Sequence, residues 1–119
     1  MTSVAAMDRI NLILAHAWMV RQFLKHADEV QNDEEMLDVH RAIFDYSRAL
    51  EPSLQRRDAA EYVRRANNKL HRLKKAAEFF HQNFLRVSDH TNFQMAAISL
   101  TFVVRQIEEV LAAVSEPEA

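Results

Sequence analysis

The chain of 119 residues has no glycine, no cysteine and only two prolines. Each absence excludes chemistry. Without glycine there is no phosphate-cradling P-loop, no dinucleotide-binding GxGxxG turn, no GxSxG nucleophile elbow and no EF-hand loop. Without cysteine there are no disulfides, iron–sulfur clusters, thiolate zinc sites or cysteine nucleophiles. No apolar stretch reaches the roughly 18 residues that a spanning helix needs. The N-terminus lacks a basic segment followed by an apolar run and a small-residue cleavage site, so the expected location is cytoplasmic, with no membrane association. Fifteen Lys and Arg against 17 Asp and Glu give a net charge of −2. That is not the basic balance of a domain built to hold nucleic acid, and a nucleic-acid partner is not expected.

A composition of 49% hydrophobic and 27% charged residues is that of an ordinary soluble domain, and the length allows one. With so few chain breakers, the sequence predicts mostly helix. Four helices are expected, at about 4–30, 33–50, 59–87 and 92–114, with 115–119 a frayed tail. In the first, Ile10, Ile13, Ala17, Val20, Leu24 and Ala27 recur at three- and four-residue steps. Asn32 with Glu35 reads as a capping box for the second, whose stripe is Met36, Val39, Ile43, Tyr46 and Leu50. Pro52 forbids a normal continuation, because it lacks an N–H and clashes with the preceding turn, so 51–57 is expected to be a turn or one distorted helical turn.

Asp58 with Glu61 caps the third helix. Its apolar residues Val63, Ala66, Leu70, Leu73, Ala77, Phe80, Phe84 and Val87 alternate 4-3, the period of left-handed coiled-coil packing. Thr91 with Gln94 reads as the cap of the fourth, with Phe93, Ala96, Leu100, Val103, Ile107, Val110 and Val114 inward. Short connections between long helices predict an all-α, antiparallel up-down-up-down four-helix bundle in a single domain. A dimeric assembly of helical hairpins is the structural alternative.

Helices one and four carry more apolar residues than one stripe needs. Leu12, Trp18, Met19 and Phe23 on the first, and Met95, Ile98 and Phe102 on the fourth, suggest an exposed face larger than a lone monomer usually shows. The expected role is a homodimer or partner interface; broad stripes wrapped into the core are the other reading. Acids cluster around the first connection (Asp28, Glu29, Asp33, Glu34, Glu35, Asp38). Arg64, Arg65, Lys69, Arg72, Lys74 and Lys75 form a basic stripe on helix three, which would suit an acidic partner if it is not simply solvated surface.

The segment Leu70-His71-Arg72-Leu73-Lys74-Lys75-Ala76-Ala77 resembles the phosphorylation-site helix of histidine-phosphotransfer domains, which are also helical bundles. His71, Leu73 and Lys74 match in order, and Ala76 and Ala77 match the small positions; Lys75 stands where that family has glycine. The resemblance implies His71 as phosphoacceptor, with Lys74 neutralising the phosphoryl group. Glu78-Phe79-Phe80-His81 resembles half of a ferritin-like metal site, and His26, His40, His81 and His90 are expected near one end of the bundle with Glu29 and Asp38. The second E-x-x-H is missing, so no cofactor is expected. Arg21-Gln-Phe-Leu-Lys-His26 resembles the nuclease motif of HEPN domains, though that motif sits late in their bundles. His16, between two alanines, reads as an interface histidine. No nucleophile or acid–base dyad stands out, so the leading expectation is a non-enzymatic interaction or scaffold module.

Overall fold

The computed structural model describes residues 1–115. It contains four helices: α1 (Ser3–His26), α2 (Glu34–Gln55), α3 (Ala59–Val87) and α4 (Thr91–Ala113). They pack side by side around one core, in the order α1–α2–α3–α4 and back to α1, as a bundle 49 × 22 × 19 Å. The expected four-helix architecture is the one found.

The core follows the heptad stripes. Ile10, Leu24, Met36, Ile43, Leu73, Phe80, Phe93, Leu100 and Ile107 are completely or almost completely buried. Burial of side chains of this size stabilises the fold by roughly 1.5–3 kcal/mol each before entropy is counted. Three positions shift by one residue: Leu14 is buried beside half-buried Ile13, Tyr62 beside half-buried Val63, and Val104 joins Val103.

The helix ends depart from the expectations. α1 stops at His26, not Val30, because Ala27 turns extended (φ −75°, ψ 123°) and Asp28–Val30 form a 3-10 turn. The Gln31 amide fastens that corner by donating to the carbonyls of Lys25 and Ala27 at 2.7 and 2.9 Å. The α2 cap is Asp33 rather than Asn32; its carboxylate accepts from the Met36 N–H at 3.1 Å. Asp58 caps α3 as expected, through the Glu61 N–H. The α4 cap is His90 rather than Thr91, with Nδ1 accepting from the Asn92 N–H at 3.0 Å.

Of the two readings of 51–57, the helical one holds: α2 runs past Leu50 and through Pro52 to Gln55. A proline costs its own helical bond and crowds the turn before it, and one residue later Ser53 is fully buried, so packing holds the turn in place. The helix then closes by a Schellman motif. The Asp58 N–H donates to the Ser53 carbonyl at 2.9 Å and the Arg57 N–H to the Leu54 carbonyl at 3.0 Å. This motif needs a left-handed residue, normally glycine. In a chain without glycine, Arg57 takes it at φ 54°.

Ser115, expected to fray, is tied to the start of the chain. Its N–H donates to the Met1 carbonyl at 3.1 Å. The Met1 ammonium donates to the Ala113 carbonyl at 2.8 Å and to Ser115 Oγ at 3.3 Å. The rest of the expected tail, 116–119, lies outside the described residues.

Candidate functional site

α1 and α4 are neighbours and run antiparallel, so residues whose numbers fall along the two helices in opposite order meet at one level. Phe23 meets Phe93 edge-on, with ring centres 4.9 Å apart. Toward the other end, Leu12, Ile13 and His16 line a groove with Ser99, Phe102 and Val103. Met19 lies one heptad along from Leu12, and Met95 one heptad back from Phe102, which brings these two to the same level. Leu12, Met19, Met95, Ile98 and Phe102 are 48–69% exposed. Val4 and Leu85 are the other large exposed apolar residues among those described.

Two residues expected on this face are half-buried. Phe23 is half-buried and occupied by Phe93. Trp18 turns toward α2: the Arg21 guanidinium lies 4.3 Å from its ring centre, and the Phe44 ring is 6.2 Å away. Arg21 sits one turn after Trp18 and packs between this indole and Phe44, whose centre is 4.9 Å away. The periodicity of α1 shows Trp18 beside the core stripe but not the cation that covers it. The spacing Trp18–Arg21 was the only local signal, and Phe44 is legible only once the register of α2 is known.

The basic stripe on α3 is largely paired within the chain. Arg64 and Arg65 both bond Glu61, whose carboxyl they hold below the usual range, chiefly by hydrogen bonds. Arg72 crosses to α2, bonding Asp45 and, at 3.2 Å, Asp38. Lys74 reaches Glu108 on α4 at 2.9 Å, and Lys75 lies 3.5 Å from Glu78. Lys69 has no carboxylate partner among the described residues. Of the acids around the first connection, Asp33 and Glu35 bond Arg86 and Glu34 lies 3.5 Å from Arg41, while Asp28 and Glu29 are exposed. Arg72, Lys74 and Arg86 therefore join helix to helix, and the other pairs lie within α2 or α3. Exposed pairs of this kind contribute little stability each.

His71 lies on the exposed face of α3, where the resemblance placed it, while the Lys74 ammonium is bound to Glu108. Glu78 and His81 are exposed and line a groove of about 550 Å³ between α3 and α4, with Lys74, Arg105 and Phe102. Among the described residues, no three His, Cys, Asp or Glu side chains come together in a way that could hold a metal ion. His90 is used in capping, and His16 and His26 are exposed. Arg21 is buried while His26 is exposed.

His40 is half-buried, opposite Arg21. Burial first, and then the charges of Arg21, Arg41 and Lys25, hold its pKa below the ordinary value; Asp38 opposes them. No described helix is long and apolar enough to cross a membrane. No family model, no curated protein and no solved structure matches the chain.

Proposed function

We propose that the bundle is a protein–protein interaction module that pairs with a second copy of itself through the α1–α4 face. The observation that carries this reading is the set of five large apolar side chains exposed on two adjacent helices. Together they present on the order of 600 Å², the upper end of what a monomer's largest patch shows. A stable dimer buries roughly 800 Å² on each partner. The flanking residues Arg9, His16, Ser99 and Gln106, which line the same groove, bring the face to that size. Its middle holds His16 and Ser99; Arg9 lines the same groove, and Lys74 and Arg105 line the adjoining one with Ile98 and Phe102. The module acts by binding, with no catalytic step assigned to it.

Sedimentation equilibrium tests this directly. The wild-type chain is expected at twice the 13.9 kDa of one chain at micromolar concentration. Phe102→Glu places a charge on the apolar face and is expected to give a monomer with unchanged helix content. Leu85→Glu, exposed elsewhere, leaves the dimer intact. A wild-type mass of one chain at every concentration overturns the proposal.

A further inference from the structure

The other flank of α1 holds a charge that the fold does not balance. Arg21 is 8% exposed, with its guanidinium between Trp18 and Phe44. Its Nε is buried without a partner, and the guanidinium donates to the neutral amide of Gln22, at 3.3 Å. Arg48 approaches the same Phe44 ring, 5.6 Å from its centre. Among the described residues, neither arginine has a carboxylate in ion-pair reach. Most other arginines do: Arg41, Arg57, Arg64, Arg65, Arg72 and Arg86 are all paired. Of the acids on α2, Asp38 and Asp45 are committed to Arg72 and Glu34 to Arg41, while Glu51 accepts from the neutral Gln55 amide at 3.4 Å.

Stacking on two rings offsets part of the cost of burying a cation, but a buried charge ordinarily also has a counter-ion. Two further buried polar atoms on α2 lack partners, His40 Nδ1 and Ser47 Oγ. Beside them, Trp18 and Ser47 line a cavity of about 330 Å³ between α1 and α2, with Leu14 and Leu54 on its walls and Glu51 also at its edge.

We propose that the α1–α2 groove around Arg21 is a binding site for a small oxyanion, a phosphate or carboxylate group held by the guanidinium groups of Arg21 and Arg48. Guanidinium geometry matches both groups, and the cavity beside Trp18 has room for a short organic remainder. The site is separate from the α1–α4 face and does not depend on dimerisation.

The test uses the wild-type chain titrated with inorganic phosphate and, separately, sodium acetate, with chloride holding ionic strength constant. Trp18, the chain's single tryptophan, reports through its emission, and the His40 ring reports by NMR. A saturable change with either anion is expected, and which anion saturates tells phosphate from carboxylate recognition. His40 is expected to titrate at higher pH when the anion is bound, because the anion offsets the neighbouring cations. Arg21→Gln abolishes saturation and Arg48→Gln weakens it several-fold, while Lys69→Gln on α3 leaves it unchanged. If Arg21→Gln does not fold, exposed Arg48 carries the mutational test. A response to both anions no different from that to chloride, or saturation that survives these substitutions in the folded protein, overturns the proposal.

Discussion

The two tyrosines of the chain make a matched experiment. Both rings are buried, at 3% and 1% exposure. The Tyr46 hydroxyl donates to the Ala66 carbonyl at 2.8 Å, across from α2 to α3. The Tyr62 hydroxyl is buried with no partner. Tyr46→Phe removes a made hydrogen bond, which costs roughly 0.5–1.5 kcal/mol net. The loss stays in that range because Ala66 lies inside α3, where its carbonyl keeps the acceptor role of the helix. Tyr62→Phe removes a hydroxyl whose desolvation is not repaid, a penalty of about 1–3 kcal/mol in a fully dry site. The expected change is therefore neutral to stabilising. The same chemical deletion destabilises at one site and not at the other, and the two variants should differ by at least about 0.5 kcal/mol. Urea unfolding at neutral pH, followed by helix circular dichroism and by Trp18 emission, measures the difference, provided that the slopes with denaturant agree. Tyr62→Phe costing as much as Tyr46→Phe would refute the reasoning. It would mean that the hydroxyl is hydrogen-bonded, through water admitted by the α1–α2 cavity that Tyr62 lines.

Other outcomes follow from the same geometry. Burial pushes both phenols above their ordinary pKa, while an unfolded tyrosine titrates near 10. Above that pH the unfolded chain releases protons that the fold retains, so the tyrosines' contribution to stability is constant below pH 10 and falls as pH rises beyond it; urea midpoints at pH 9 and 11 check this, and equal midpoints contradict it. Arg57→Gly and Arg57→Ala both lose the pair with Asp8, so their difference isolates the backbone at φ 54°. The glycine variant should melt roughly 2–5 °C above the alanine variant; calorimetry showing the reverse order would deny that the left-handed turn is strained. Pro52→Ala restores a helical N–H inside α2 and is expected to stabilise by roughly 1–2 kcal/mol in urea unfolding. A destabilised Pro52→Ala would show that the ring itself is needed there.

The fold was largely legible because its information is periodic. The stripes of α2 and α4, and the 4-3 alternation of α3, fix which face turns inward wherever the helix lies. The ends were less legible because several side chains compete for the same orphan N–H groups. Asn32 and Asp33 are adjacent, and only the chain direction at Ala27 and Gln31 makes Asp33 the cap. The same holds for His90 over Thr91. Pro52 was read by its local rule, whereas the buried Ser53 and the Schellman closure behind it are tertiary. On the candidate face, Leu12, Met19, Met95, Ile98 and Phe102 are exposed as the surplus of apolar residues suggested. Trp18 was misplaced because its partner Phe44 comes from another helix. The charge pattern misled most. A run of cations on α3 reads as a basic stripe until the register shows Arg72 between Asp38 and Asp45, and Lys74 against Glu108. The unbalanced cations Arg21 and Arg48 lie on different helices, 27 positions apart in the sequence, with no run to announce them.

The bonds between Met1 and Ser115 bring the first and last described residues together. A short linker there, with new ends opened at Ser88–His90 between α3 and α4, gives a circular permutant ordered α4–α1–α2–α3. Its loops and core remain those of the parent, but the α1–α4 seam, the contact most distant along the chain, becomes a hairpin. Contacts that close late because of loop entropy then become local. The permutant separates the seam's share of the folding barrier from its share of the stability, while presenting the same apolar face.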